Sequence, residues 1–299
     1  MTSPSSKTEA SVELRRARPL LGTLVDIAAR GCNEPEVIRA IDAAFAAIAR
    51  THRLMSFHEQ YSDVSRINRA AQRRAVRVHP WTWAVLHEAQ RVALLSHGLF
   101  DVTVASNLVR RGLLPRSAPF ADLPRGANFR DVRLLPGHRV RFARPLLVDL
   151  GGIAKGFAVD QAVASLRRAN MHSGLVNAGG DLRAFGNAPR LIHVRHPTSP
   201  GILLPLAELR SGAVATSAGY FSPDGSAIVD PRKDFAAACD VSVSVAARRC
   251  ITADAWTKVL LIGGPRVLGL LRRAGAMGYI LRPSSIEPAS RGYQDAIDG

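Results

Sequence analysis

The stretch DLGGIAKGFAVD, residues 149–160, is where residue types and spacing first suggest chemistry. Two glycines separate an apolar run, PLLV at 145–148, from a helix-like pattern, with Lys155 one turn in. A strand-to-helix turn of this kind offers unpaired backbone N–H groups and the positive end of a helix dipole, which suits a phosphate. Lys155 would add a full positive charge. The spacing is neither GxxxxGK[ST] nor GxGxxG, so neither the P-loop nor the dinucleotide fingerprint applies. Taken alone, such a turn is more often packing geometry than a site.

The surrounding pattern predicts the elements that must hold this turn. Residues 20–29 read as a strand, and 34–55 as a helix with Val37, Ile41, Phe45, Ile48 and Leu54 near one face. A second helix is expected over 80–98, closed by Gly98 as a C-terminal cap. Residues 110–145, rich in Arg, Pro and Gly, carry two short strand candidates and read as a peripheral insertion joining two halves. Beyond them come strand 145–148, the glycine turn and a helix to about 169. Strands at GLVNAGG, RLIHVRHP, LLPLAELRSGAVATS and CDVSVSVAA follow, then helices at ITADAWTKVLLIG and PRVLGLLRRAG and a strand at GYILR. Strands and helices mix without strict alternation, so α+β with flanking helices is favoured over a doubly wound parallel sheet.

Composition narrows the partners. The net charge of +16 over 299 residues fits an anionic ligand. Arginines are scattered singly or in pairs and aromatics are only 6%, which argues against a nucleic-acid stripe with stacking residues. Cys32, Cys239 and Cys250 are odd in number and widely spaced, forming neither a disulfide framework nor a zinc cluster. Apolar runs are too short to cross a bilayer, and the first residues lack a secretory apolar segment, so the chain reads as cytoplasmic with no membrane span.

Six segments together carry a resemblance. DLGGIAKGFAVDQAV, SFHEQYSDVSRIN (56–68), GLFDVTV (98–104), GLVNAGGDLRAFG (174–186), AVATSAGYF (213–221) and ITADAW (251–256) are similar, in order, to motifs of the ApbE family of FAD:protein FMN transferases. The likeness covers about residues 18–282, leaving 1–17 as an expected disordered tail and 283–299 as a C-terminal tail. It implies mixed sheets in two lobes around an FAD cleft, and a Mg²⁺-dependent reaction. FAD is cleaved at its pyrophosphate, FMN passes to a Thr or Ser hydroxyl of an acceptor flavoprotein or redox subunit, and AMP leaves.

By the resemblance, Lys155, Gly156 and Asp160 bind FAD, and the Ala154 carbonyl and Asp254 hold the metal. Met55, Ser56 and Ser65 through Asn68 match a flap beside the flavin; Asp101 and Thr103 match FDxT. Asn177, Gly179, Gly180 and Asp181 match NAGGD, and Thr216 and Ser217 match ATS. Plainer roles stand beside these: Gly179–Gly180 as a turn, Asp101 as a helix cap. Phosphoryl-type transfer needs charge neutralisation and an in-line hydroxyl more than covalent help, which explains cations and carboxylates beside a phosphate-binding turn.

Two departures bear on catalysis. The family motif ADxxxT has Lys258 at its threonine position, and i,i+4 spacing puts Lys258 on the side of Asp254. An ammonium there can pair with Asp254 and contact the pyrophosphate, or exclude Mg²⁺; the expectation is weak metal dependence or none. In SAIVDPRKD the family's HxxDPxTG aligns at Asp230–Pro231, but Ala227 replaces the histidine and Lys233–Asp234 the Thr–Gly pair. Asp230 and Lys258 are thus the catalytic candidates. Alternatives are an FAD pyrophosphatase needing no acceptor, and an FAD-binding carrier or assembly factor that does no chemistry.

Overall fold

In this computed structural model the described residues are 11–116, 122–197, 199, 201–218, 228–233, 235–236, 241–282 and 285–287. The first two strands, β1 (Val12–Leu20) and β2 (Thr23–Gly31), pair antiparallel around a turn at Leu21–Gly22. Val12 through Ala17, expected within a disordered tail, are ladder residues opposite Gly31 through Asp26.

Helix α1 (Glu34–Met55) starts where its sequence says it should. The Asn33 side chain accepts the Glu36 N–H at 3.1 Å, acidic Glu34 and Glu36 occupy the first turn, and His52 and Arg53 the last. Next come α2 (Asp63–Ala70), β3 (Val76–Arg77), α3 (Pro80–Leu95), α4 (Ala105–Arg110), β4 (Val132–Leu135) and β5 (Arg139–Phe142). Helix α3 ends just before Gly98, whose φ of +79° suits the expected glycine stop. Strands β3, β5 and β4 form a small sheet, so the presumed insertion supplies two of its three strands.

The second half runs α5 (Ala154–Arg168), β6 (Ser173–Ala178), β7 (Asp181–Phe185), β8 (Arg190–Arg195), β9 (Leu203–Leu209) and β10 (Gly212–Ala218). It continues with β11 (Val229–Asp230), β12 (Phe235–Ala236), β13 (Ser242–Ala247), α6 (Cys250–Gly263), α7 (Leu268–Arg273), β14 (Ala276–Arg282) and β15 (Ser285–Glu287). The main sheet has the order β1-β2-β6-β7-β10-β13-β14-β15, with every neighbour antiparallel. This is the α+β class read from the sequence.

Two expected strands turn out differently. The segment 203–217 is broken at Arg210–Ser211: β9 pairs with β8 in a separate hairpin, while β10 enters the main sheet. PLLV forms no ladder at all. Its last residue is held instead by the Asn68 side chain, which donates to the Val148 carbonyl at 2.9 Å and accepts the Val148 N–H at 2.8 Å. A run of apolar residues cannot distinguish a strand from a buried extended segment whose amides find a side-chain partner.

Burial organises three layers. Val25, Ile27 and Ala29 of β2 and Val176 of β6 pack against Ile41, Phe45 and Ile48 of α1 and Val159, Ala162 and Leu166 of α5. On the opposite face Leu182, Val214 and Tyr279 meet Ile192, Val194 and Leu209 of the β8–β9 hairpin. The largest core gathers α2, α3, the small sheet, α6 and Leu146–Val148 around Trp256. The glycine turn is thereby fixed between the main sheet and the smaller one.

Candidate functional site

Helix α5 is the frame of the site, and its Gly156 and Asp160 share one face by i,i+4 spacing. Both reach α6. Asp160, buried, accepts the N–H groups of Cys250 at 2.9 Å and Ile251 at 3.1 Å. Helix α6 has no capping side chain of its own, so a carboxylate from a neighbouring helix satisfies its first donors. Arg183 of β7 closes the other side of Asp160 at 2.6 Å. One turn on, Gly156 allows the helices to meet: a Cβ there would lie 2.3 Å from the Cys250 carbonyl oxygen and 2.7 Å from Asp254 Cβ. At this approach the Gly156 N–H donates to Asp254 Oδ2 at 2.9 Å.

Two carboxylates and two ammonium groups therefore meet below the glycine turn. Lys155 pairs with Asp181 Oδ2 at 2.6 Å, and Lys258 pairs with Asp254 Oδ1 and donates to the Asp254 carbonyl at 3.0 Å. Asp181 and Asp254 are both 0% exposed. Burial, reinforced by the nearby Asp254, raises the Asp181 pKa against the pull of Lys155 and Lys258. Burial disfavours the Lys155 ammonium, but Asp181 and Asp254 outweigh it and raise its pKa, so it stays charged. Among the described residues Asp181 Oδ1 has no hydrogen-bond partner.

The remaining sequence candidates fall into three groups. Asn177 Oδ1 accepts the Gly180 N–H at 2.9 Å, and Gly179 and Gly180 have φ of +63° and +99°, so NAGGD is the β6–β7 turn that delivers Asp181 to Lys155. Period-two alternation on β10 sends Thr216 to Ser244 at 2.8 Å and Ser217 to Thr257 of α6 at 2.7 Å. Asp101 Oδ1 accepts the Thr103 N–H and hydroxyl, each at 2.8 Å, while Oδ2 takes the Phe129 N–H at 2.9 Å. Burial nonetheless raises its pKa.

At the end of α1, Met55 is buried and the Ser56 carbonyl accepts the Ser62 hydroxyl at 2.7 Å, anchoring the start of α2. Asp230 is gripped by both ends of the Arg232 guanidinium at 3.0 and 2.9 Å, which holds its carboxyl below the usual range. Ala227 and Asp234 lie outside the described residues.

Only part of these segments faces common space: Asp101, the glycine turn, Pro231 and Lys258 reach it, while Met55, Lys155, Asp160, Asp181, Thr216 and Ser217 line neither of the two cavities described next. A cavity of about 260 Å³ is lined by Asp101, Asp149, Gly151, Gly152, Pro231 and Lys258, among others. A larger cleft of about 580 Å³, edged by Arg110, Arg125, Arg130, Arg232 and Lys233, shares Asp101, Val104 and Pro231 with it. Asp149, which sequence reasoning passed over, accepts the Gly151 N–H at 3.1 Å. Its signal was an Asp two residues before a glycine, the Asx-turn pattern. Arg232 had no local signal, since only its partner resembled a motif.

The metal implied by the resemblance does not suit these side chains. Mg²⁺ takes oxygen donors at roughly 2.0–2.1 Å in near-octahedral geometry. Both Asp254 oxygens are already engaged, by the Gly156 N–H and the Lys258 ammonium. Among the described residues no group of three or more His, Cys, Asp or Glu is placed to hold a metal ion. No described helix is long and apolar enough to cross a membrane.

Comparison with known proteins bears on the family and the fold. The family model described as "ApbE family" matches residues 21–281. An FAD:protein FMN transferase of Treponema pallidum is 29% identical over 321 aligned positions, covering 95% of this chain and 89% of that protein. One from Rhodobacter capsulatus is 28% identical, covering 94% of this chain and 58% of its own length. The crystal structure of the ApbE protein of Thermotoga maritima superposes with a TM-score of 0.80 at 27% identity, covering 93% of this chain and 97% of that one. By the family match over most of its length and by its fold, this chain belongs to the ApbE family.

Proposed function

We propose that the protein is an FAD:protein FMN transferase. One observation carries the reading: the glycine turn, Asp101, Pro231 and Lys258, far apart in sequence, line a single cavity. In this reading FAD is a substrate whose pyrophosphate lies at the glycine turn. Lys258 and Lys155 offset the charge that builds on the phosphate oxygens, and fixed donors cost no reorganisation during the reaction. The acceptor hydroxyl oxygen forms a new P–O bond to the FMN-side phosphorus, the pyrophosphate P–O bond breaks, AMP departs, and the hydroxyl proton passes to solvent. Asp230, tied at both oxygens to Arg232, is a weak base and serves to position the Pro231 loop. The partner is an acceptor flavoprotein or redox subunit carrying a Thr or Ser motif.

Incubating the protein with FAD and such an acceptor domain is expected to add FMN to the acceptor mass and release equimolar AMP. A second reading, FAD binding without chemistry, draws on Ala227 at the family's histidine position and on Arg232 quenching Asp230. Bound FAD with neither AMP nor labelled acceptor would select it, provided an active relative labels the same acceptor. AMP release without an acceptor would instead indicate a pyrophosphatase.

A further inference from the structure

We propose that Lys258 is a built-in replacement for the divalent cation, so that this protein binds the FAD pyrophosphate without Mg²⁺. The inference rests on the flavin reading above and adds how the charge of the substrate is met.

An ammonium group has three donors. Lys258 spends two of them on its own helix, on Asp254 Oδ1 and on the Asp254 carbonyl. Its stem packs against the glycine turn, where a Cβ on Gly152 would stand 3.7 Å from Lys258 Cε. The side chain is 14% exposed and lines the cavity with Gly151 and Gly152, which leaves the third donor for a ligand oxygen at the turn. The lysine is therefore clamped at one end and open at the other. A metal ion held by a carboxylate on one side and by phosphate oxygens on the other has the same arrangement.

Charge balance supports the exchange. Asp181, Asp254, Lys155 and Lys258 form a formally neutral set around two fully buried carboxylates. With threonine at position 258 the same set would carry a net negative charge beside an anionic substrate, and a cation would have to be recruited. With lysine present, a divalent ion would have to displace the ammonium from Asp254 and then sit beside it at the same phosphate oxygens. Two cations competing for one buried carboxylate repel each other, so the ammonium excludes the metal. The exchange has a chemical cost: a point charge cannot bridge two phosphate oxygens as Mg²⁺ does.

The test is FAD binding, followed by flavin fluorescence in EDTA and in excess Mg²⁺, together with Mn²⁺ uptake read by electron paramagnetic resonance. The wild-type protein is expected to bind FAD within about twofold equally in both buffers and to take up no stoichiometric Mn²⁺ in the presence of FAD. Lys258→Thr should lose about tenfold or more in FAD affinity in EDTA, the worth of one charge-assisted bond to phosphate, and regain it with Mg²⁺ while binding one Mn²⁺. Lys258→Met should lose the same affinity with no rescue by metal. Wild-type binding that vanishes in EDTA and returns with Mg²⁺, one Mn²⁺ bound per wild-type chain, or a Lys258→Thr variant indifferent to metal would each overturn the proposal. FAD that binds under neither condition would sink the flavin reading itself, a result distinct from metal-dependent binding.

Discussion

At the scale of single residues, the site combines carboxylates that burial pushes in one direction with a carboxylate that arginine pulls in the other. Asp101 shows the first case: among the described residues it has no ion-pair partner, and its bonds come from Thr103 and the Phe129 N–H. Its pKa is raised by burial, so the folded protein holds this proton more tightly than the unfolded chain. The stability it contributes is full below the unfolded value of about 3.9 and is lost as pH rises through the higher folded value. Melting curves of wild type and Asp101→Asn between neutral pH and pH ~4 should therefore show wild type gaining on the variant as pH falls. A constant gap would contradict this account. Asp230 has the opposite sign: its stabilising pair with Arg232 is present at neutral pH and lost only as acid protonates a carboxyl already held low.

The α5–α6 contact decides the geometry at the scale of elements. Gly156 has no room for a side chain against the Cys250 carbonyl, which is backbone and cannot swing away. Gly156→Ala should force the helices apart, cost about 1–3 kcal/mol of stability as overpacking does, and lengthen the Gly156–Asp254 bond. Thermal denaturation would show a melting temperature lower by several degrees, with FAD affinity falling as well. Asp160→Ala acts at the other end of the same contact, uncapping α6 and leaving Arg183 without its main partner. A loss of about 3 kcal/mol or more is expected in urea denaturation, in line with breaking a buried pair. A stable Asp160→Ala protein with weakened FAD binding would point to direct ligand contact instead.

Over the whole molecule, the charge of +16 surrounds a site whose four central charges cancel. On the proposed reading, attraction of the dianionic FAD therefore comes from the periphery, including the cleft edged by Arg110, Arg125, Arg130, Arg232 and Lys233. Stopped-flow association of FAD should slow by about tenfold as added salt shortens the screening length from about 10 Å to a few Å. Dissociation, governed on the same reading by bonds at the glycine turn, should change much less. Equal salt effects on both rates would place the steering charge inside the site.

What the sequence determined by itself is whatever depends on neighbours along the chain. The span of α1 from Glu34 to Met55 followed from a 3.6-residue apolar period, and the pairing of Asp254 with Lys258 from i,i+4 spacing. Motif order was enough to indicate the family. The tertiary structure alone decided which distant groups meet. PLLV looked like a strand, yet its carbonyl and amide at Val148 went to Asn68, eighty positions away. That Asp160 caps a helix that begins ninety residues later had no signal in its own segment. Lys155 found Asp181 only because a two-glycine turn aims β7 at α5. Local spacing fixes which face a side chain occupies. The partner across that face is chosen by packing of the whole core, which no short segment encodes.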